Sequence, residues 1–255
     1  LDQVADAYDR FRPGYPAPIL PDVEFLASLP PRGRILEIGS GTGQLTATFA
    51  QRGYSIVALE PGTALATIAR ANLASYPNVQ VVGSTMEDWG PDSAPFDLVL
   101  AAQSFHLVDL QRRFALAAGV LSPRGALAIV WSYRLPGDSP AHRALQAAYA
   151  HHAPPTLPPD QLWQDTPFED EIDRSGLFES VFMRKYLWTQ VYDPTEYVGL
   201  LESHASHHAL PLPVRSALYD AIGEGIARNG GRIAIDYVTR LFVATLKRNP
   251  SPEAP

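Results

Sequence analysis

The 255-residue sequence contains no cysteine. Disulfide frameworks, zinc ribbons, iron–sulfur sites and thiol catalysis are excluded, and nothing in the chain calls for an oxidising compartment. Long apolar runs are missing as well. The longest, Phe114 to Leu121 and Gly125 to Trp131, fall well short of the roughly 18 residues that a membrane span requires, and the N-terminus shows no secretory pattern. Nor is there an excess of basic charge: 20 Lys and Arg face 27 Asp and Glu, a formal balance of −7, which argues against the broad cationic surface that phosphate backbones need. These absences lead us to expect a soluble cytoplasmic protein, monomer or homodimer, without nucleic-acid or membrane partners. Leu1 opens in mid-pattern without an initiator Met, so a few residues are expected before it.

What is present is a chain 46% hydrophobic, long enough for one large α/β domain that buries roughly 70–75% of its unfolded surface. It also carries 24 prolines and 18 glycines, and the prolines divide it into zones. Residues 13–31 hold six of them, which predicts one short helix framed by turns with Val23, Leu26 and Leu29 as its apolar stripe. Strands are expected at 34–38, 55–59, 79–82, 96–100 and 126–131, and helices at 45–52, 64–74 and 110–121. Such alternation is the signature of a parallel sheet covered by helices on both faces. Beyond Trp131 the prolines return around a helical stretch at 141–151, which predicts an inserted lid or cap. Two further strands, 178–188 and 233–246, are expected with helices at 194–205 and 213–229 between them, and the tail from Asn249 is expected to fray. The segments are therefore a 1–33 entry or lid, a 34–134 cofactor-binding core, a 135–175 cap, and a 176–255 C-terminal part that completes the same domain.

Chemistry concentrates where the first strand runs into Glu37-Ile38-Gly39-Ser40-Gly41-Thr42-Gly43-Gln44. Alternate glycines let the backbone turn sharply and let a ligand lie against main-chain N–H groups. A dinucleotide fingerprint needs glycine at 44, where Gln stands. A loop built for pyrophosphate also gains nothing from Glu37, whereas a ligand with an ammonium group does. The second strand ends in Glu60-Pro61-Gly62, whose carboxylate can accept from both hydroxyls of a ribose. The third ends in Thr85-Met86-Glu87, which can hold an adenine, with Met86 against the ring face and Thr85 near the amino group.

Taken in order, Glu37-x-Gly39-x-Gly41-x-Gly43, Glu60, Thr85–Glu87 and Phe96-Asp97-Leu98-Val99-Leu100 resemble the motifs of class I S-adenosylmethionine-dependent methyltransferases over roughly residues 30–131. More narrowly, Tyr8-x3-Arg12-Pro13-x-Tyr15-Pro16, Leu59-Glu60-Pro61-Gly62 and Ala101-Ala102-Gln103-Ser104-Phe105-His106 look like the small-molecule type 11, trans-aconitate-methyltransferase-like subgroup. Many relatives carry Asp and then a small residue where this chain has Thr85-Met86, so the adenine contact here is expected to be weaker or purely main-chain. The resemblance implies a Rossmann-like, doubly wound, seven-stranded sheet of order 3-2-1-4-5-7-6, strand 7 antiparallel, with a small helical cap. It implies S-adenosyl-L-methionine as cofactor, S-adenosyl-L-homocysteine as product and a small-molecule methyl acceptor. The cofactor would be held by Tyr8, Arg12, Glu37, Gly39, Ser40, Gly41, Thr42, Gly43, Glu60, Pro61, Thr85, Met86, Glu87 and Gln103. Among these, Arg12 would meet the donor's carboxylate, Tyr8 its sulfonium and Gln103 its methionine end.

Methyl transfer is an in-line displacement that needs a base only when the acceptor must lose a proton. His106, at the end of the fourth strand, is the candidate base or acceptor contact. Tyr15, Trp131, Tyr133, Trp163 and His204 are candidates for the acceptor pocket. His204, His207 and His208 on one expected helix include an i,i+4 pair, but no acid follows in a zinc pattern and no metal is expected. Two other readings stand beside this one: a catalytically silent relative that binds the cofactor and serves as a partner subunit, and a nicotinamide oxidoreductase, which the glycine register opposes.

Overall fold

The structure, a computed structural model, describes residues 2–90, 94–155, 157 and 168–247. In chain order its elements are α1 (Ala5–Phe11), α2 (Ile19–Leu26), β1 (Arg34–Ile38), α3 (Gln44–Ala50), β2 (Ser55–Leu59), α4 (Thr63–Asn72), β3 (Val79–Val82) and β4 (Phe96–Ala102). They continue with α5 (Arg113–Val120), β5 (Leu121–Arg134), α6 (Pro140–His152), α7 (Phe168–Ser175), β6 (Phe178–Tyr192), α8 (Pro194–Glu202), α9 (Ala205–His208), α10 (Leu212–Arg228) and β7 (Ile233–Leu246). Two compact units emerge. One comprises Leu1–Gly14, Ser132–Asp165 and Tyr186–Thr239; the other comprises Tyr15–Trp131, Thr166–Lys185 and Arg240–Pro255.

The second unit is the sheet unit, and all seven strands contribute to it, in the order β3-β2-β1-β4-β5-β7-β6. The pairs β1–β2, β1–β4, β2–β3 and β4–β5 are parallel, and β7 is antiparallel. The expected fold class is the observed one. β1, β2 and β4 are almost wholly buried, as strands covered on both faces must be, and their sequences are accordingly apolar on both faces rather than alternating, interrupted inside the strands by Glu37 and Asp97. Leu36, Leu59, Val99, Leu127, Ile129, Phe105 and Phe242 belong to one core, which Phe168 and Ile172 of α7 also join.

The other unit is helical. α6, α8 and α10 bury Leu145, Tyr149, Tyr197, Leu200, Leu218, Ile222 and Ile226 against Tyr192, Ile233 and Tyr237 from the strand ends. α8 starts on a capping box, Asp193 accepting from the Glu196 N–H while the Glu196 carboxylate accepts from the Asp193 N–H, with Pro194 in the first turn. α6 starts on Ser139, whose hydroxyl accepts from the His142 N–H, followed by Pro140 in the first turn.

Composition placed the segment breaks elsewhere, at 33, 134 and 175. β5, β6 and β7 each feed residues to both units, because they run longer than their apolar centres suggest: β5 extends from Leu121 to Arg134 and β6 to Tyr192. The helix expected inside an insertion, α6, packs on α10 as part of the helical core. α1 and α7 lie where no helix was expected. The helix expected at 194–205 stops at Glu202, where the Ser203 and His204 N–H groups close the turn onto Gly199 and Leu201 carbonyls. Residues 249–255 and Trp163 lie outside the described residues. Among the described residues no helix is long and apolar enough to cross a membrane.

Candidate functional site

In the sheet unit, β1, β2, β3 and β4 deliver their C-terminal ends to one edge. This is the edge at which doubly wound sheets hold ligands. The loop from β1 to α3 takes the conformation its glycines anticipate: Gly39, Gly41 and Gly43 have φ of 65°, 59° and 88°, all in the left-handed region. Two of them are also sterically fixed. A Cβ at 39 would lie 2.6 Å from Ser104 Cβ, and one at 43 would lie 2.7 Å from Leu73 Cδ1. Ser104 itself donates its hydroxyl to the Ile38 carbonyl, so the end of β4 grips the loop from the side.

The loop is held by a carboxylate. Glu60 accepts from the Gly41 N–H at 2.9 Å and from the Gly62 N–H at 2.8 Å, while the Ser40 N–H reaches the Leu59 carbonyl at 3.0 Å. Asn72 of α4 donates to the Thr42 carbonyl at 3.0 Å. Within the loop the hydroxyls of Ser40 and Thr42 are buried and have no hydrogen-bond partner among the described residues. Orphaned buried hydroxyls are rare enough to need an explanation.

Glu37 is buried beneath the loop, 2% exposed. Its carboxylate accepts from the Thr46 hydroxyl of α3 at 2.6 Å. Burial pushes its pKa up to about 7; the Thr46 bond opposes that rise and the charge of Glu60 adds to it. This site therefore holds an acid that is half neutral near physiological pH and that a neighbouring cation would ionise.

The third strand's residues are placed less freely than the sequence suggests. The Thr85 hydroxyl donates to the Asp88 carboxylate at 2.9 Å and accepts from the Asp88 N–H at 3.1 Å. Met86 is buried in the apolar core of the sheet unit. Glu87 accepts from the Asp109 N–H at 2.7 Å and so ties the stretch after β3 to the one after β4. Pro61 is exposed beside Glu60, and Tyr15 is half-buried in the same unit. Gln103 adopts a positive φ of 57°, with its N–H on the Val130 carbonyl at 2.9 Å. His106 follows in a short 3-10 turn, Phe105–Leu107, and meets Trp131 edge-on with ring centroids 4.9 Å apart. Burial, then the charge of Arg113, lowers its pKa from the ordinary 6.5.

Tyr8, Arg12, Tyr133 and His204 belong to the helical unit. The Arg12 guanidinium lies 5.0 Å from the centre of the Tyr8 ring and donates to the Ser203 carbonyl at 3.3 Å. His204 does not share one helix with His207 and His208; it precedes α9. Its Nδ1 lies 2.7 Å from the Leu200 carbonyl and its Nε2 lies 3.2 Å from an Arg134 nitrogen. Burial together with Arg12 and Arg134 lowers its pKa to about 2, so both ring nitrogens of this neutral histidine are taken up in holding the helical unit together. Among the described residues no group of three or more His, Asp or Glu is arranged to hold a metal ion.

Ser104, Thr46 and Asn72 shape the site and were not singled out in the sequence. Thr46 had a legible signal, a hydroxyl in the first turn of the helix that follows the loop; Ser104 and Asn72 act through pairings 66 and 30 residues apart, which no local pattern reveals.

Comparison with known proteins agrees with this geometry. Residues 35–125 match a family model described as a methyltransferase domain. An uncharacterized methyltransferase of Mycobacterium tuberculosis is 29% identical over 94% of this chain and 93% of its own length. A solved structure from Anaeromyxobacter dehalogenans, assigned provisionally as a type II methyltransferase, aligns over 92% of this chain and 98% of its own with a TM-score of 0.60 at 20% identity. A Haemonchus contortus phosphoethanolamine N-methyltransferase 2, solved with phosphomonomethylethanolamine and S-adenosylhomocysteine, aligns over 96% of this chain and 57% of its own with a TM-score of 0.56 at 15% identity. At these identities the two structures bear on the fold alone.

Proposed function

We propose, from the match of residues 35–125 to a methyltransferase domain model and the geometry of the loop between β1 and α3, that this chain is a class I enzyme that transfers a methyl group from S-adenosyl-L-methionine to a small-molecule acceptor. The observation that carries the cofactor assignment is the loop between β1 and α3. Three left-handed glycines there flank two buried hydroxyls, Ser40 and Thr42, that have no hydrogen-bond partner among the described residues.

When bound, that donor supplies a methyl group on a positively charged sulfur, transferable by in-line displacement. The chain's own residues bind and orient. Glu37 offers a buried carboxylate to the donor's ammonium group, with its ionised form favoured by the arriving charge. Glu60 keeps the loop in register through Gly41 and Gly62 and directs the same carboxylate toward ribose hydroxyls. Because the Thr85 hydroxyl is engaged by Asp88 and Met86 is packed in the core, the adenine is recognised through main-chain groups of this segment, with Met86 as an apolar floor. Gly39 and Gly43 let the ligand approach the backbone, and Gln103 faces the methionine end.

On the acceptor side, His106 is uncharged at neutral pH because burial and Arg113 both disfavour its cation. A neutral imidazole can accept a proton from an acceptor hydroxyl or amine as the methyl group is transferred. Trp131 and Tyr15 are assigned to acceptor contact beside it.

Isothermal calorimetry with S-adenosylhomocysteine tests the cofactor assignment; one-to-one binding is expected. A screen of small-molecule acceptors with labelled donor, read by mass spectrometry for the gain of one methyl group, tests turnover. Binding of NAD in place of S-adenosylhomocysteine would overturn the assignment.

A further inference from the structure

We propose that Arg113, anchored by Glu171, is a positioning residue for His106: it fixes the turn that carries the imidazole and sets the charge that the ring faces. The proposal deepens the methyl-transfer reading and rests on it for the role of His106.

Arg113 opens α5 and is buried, 4% exposed. Its guanidinium forms an ion pair with Glu171 of α7 and donates at 3.4 Å to the carbonyl of Phe105, the residue before His106. The rings of Phe105, Phe114 and Phe168 surround it, with centroids 5.3, 5.3 and 5.6 Å from the guanidinium carbon. A buried ion pair is weak evidence for stability, since well-packed apolar side chains often replace one without loss. The core around Arg113 is aromatic and has the means to be wholly apolar. A cation retained there is best explained by what its charge and its hydrogen bond do.

α7 reaches the histidine by two routes. Through Glu171 it holds Arg113, which holds the Phe105 carbonyl and with it the 3-10 turn. Through Phe168 it packs on Trp131 at 5.6 Å, and Trp131 in turn abuts the His106 ring at 4.9 Å, nearly perpendicular. Backbone and ring orientation are thus set from one helix. Two carboxylates also lie by this turn among the described residues: Asp109, three residues on, accepts from the Gln111 N–H at 2.8 Å, and Glu87 accepts from the Asp109 N–H. Arg113 is the cation whose field acts on His106, in the direction that keeps the ring neutral.

The test is the titration of the His106 ring followed by ¹H–¹³C NMR in histidine-labelled protein, with the resonance assigned by His106→Asn. In the wild type the midpoint should lie below 6.5. Arg113→Met should raise it toward 6.5, and Arg113→Lys, which keeps the charge, should leave it low. Glu171→Gln should hold the midpoint at or below the wild-type value, because the amide oxygen still accepts from the Arg113 guanidinium and keeps the turn in place while the cation loses its counter-charge. A merely structural role predicts otherwise: loosening the turn from either end would expose His106 and raise the midpoint in both Arg113→Met and Glu171→Gln. A rise in Glu171→Gln, or no rise in Arg113→Met, overturns the proposal. Should Arg113→Met fail to fold, the Glu171→Gln and Arg113→Lys titrations decide alone, and a raised midpoint in either counts against it. S-adenosylhomocysteine affinity, measured alongside, should be unchanged in all three variants. If the wild type does not bind that ligand the methyl-transfer reading fails, while the titration still judges whether Arg113 controls His106.

Discussion

Glu37→Gln isolates the electrostatics of the glycine loop. The Glu37 carboxyl is buried, accepts one hydrogen bond from Thr46 and sits in the field of Glu60, which together place its pKa at about 7 against 4.5 for the free side chain. That rise corresponds to roughly 3 kcal/mol by the linkage relation. Its sign follows from proton counting. Below pH 4.5 both folded and unfolded chains hold the proton; between 4.5 and 7 the unfolded chain has lost it while the folded chain keeps it, so stability falls as pH rises. Above pH 7 the folded protein carries a buried, unneutralised carboxylate and the full penalty applies. Gln keeps an oxygen for the Thr46 hydroxyl but cannot ionise. Urea unfolding should therefore find the variant close to wild type at pH 5 and more stable by up to about 3 kcal/mol at pH 8. A stability difference that stays constant across that range would refute the argument. The same logic reaches the ligand. An ammonium group arriving beside Glu37 favours the ionised form, so S-adenosylhomocysteine binding between pH 6 and 7 should release a proton in the wild type and not in the variant, a difference that calorimetry in buffers of unlike ionisation enthalpy reads directly.

Three further substitutions probe the framework. Gly39→Ala places a Cβ 2.6 Å from Ser104 Cβ at a φ of +65°; a loss of about 1–3 kcal/mol is expected in thermal unfolding together with loss of S-adenosylhomocysteine binding, and a near-wild-type melting temperature would contradict the geometry. Glu60→Ala frees the Gly41 and Gly62 N–H groups and removes the proposed ribose acceptor; affinity should fall by on the order of tenfold or more, and unchanged affinity would move the ribose elsewhere. Asp193→Ala dismantles the α8 capping box; about 1 kcal/mol of stability should be lost with S-adenosylhomocysteine affinity intact, and a fall in affinity would reveal a coupling between this helix and the cofactor.

The fold was legible wherever burial dictates sequence. β1, β2 and β7 run between the residues that their apolar stretches delimit, because a mostly buried strand can use little else, and the edge strand β3 was found from its three valines although none of its residues is buried. β4 runs two residues beyond the expected end, through Ala101 and Ala102, and the larger misjudgements are β5 and β6. β5 continues through Ser132, Tyr133 and Arg134, where the Ser132 and Thr239 hydroxyls pair at 2.7 Å. β6 is the edge strand and is exposed along most of its length, so it carries no burial pattern to detect. α1 and α7 were missed although they are as long as α2, α3 and α5, which were expected. α7 nonetheless had a signal, Phe168 and Ile172 one turn apart with Glu169, Asp170 and Glu171 in the first turn, where acids suit the helix dipole.

The site was legible in its residue types and in part of their division of labour, since the sequence already set Glu37 apart for an ammonium group and Glu60 for ribose hydroxyls. What it did not show is how differently the surroundings hold the three acids at the strand ends. Glu87 accepts from the Asp109 N–H and Glu60 accepts from two loop N–H groups. Glu37 has one hydroxyl partner and a neighbouring negative charge, and it is the acid that burial drives toward neutrality. What separates them is contact across 22, 19 and 9 residues of sequence, which spacing alone does not encode. The separation has a functional consequence. A ligand's cation gains most at an acid that is not already compensated, so the proposed donor is expected to set its ammonium group at Glu37 and its ribose hydroxyls at Glu60. Binding should then lose its linkage to a proton when Glu37 is replaced and keep that linkage, at lower affinity, when Glu60 is replaced. Proton release persisting in Glu37→Gln and vanishing in Glu60→Ala would reverse the two assignments.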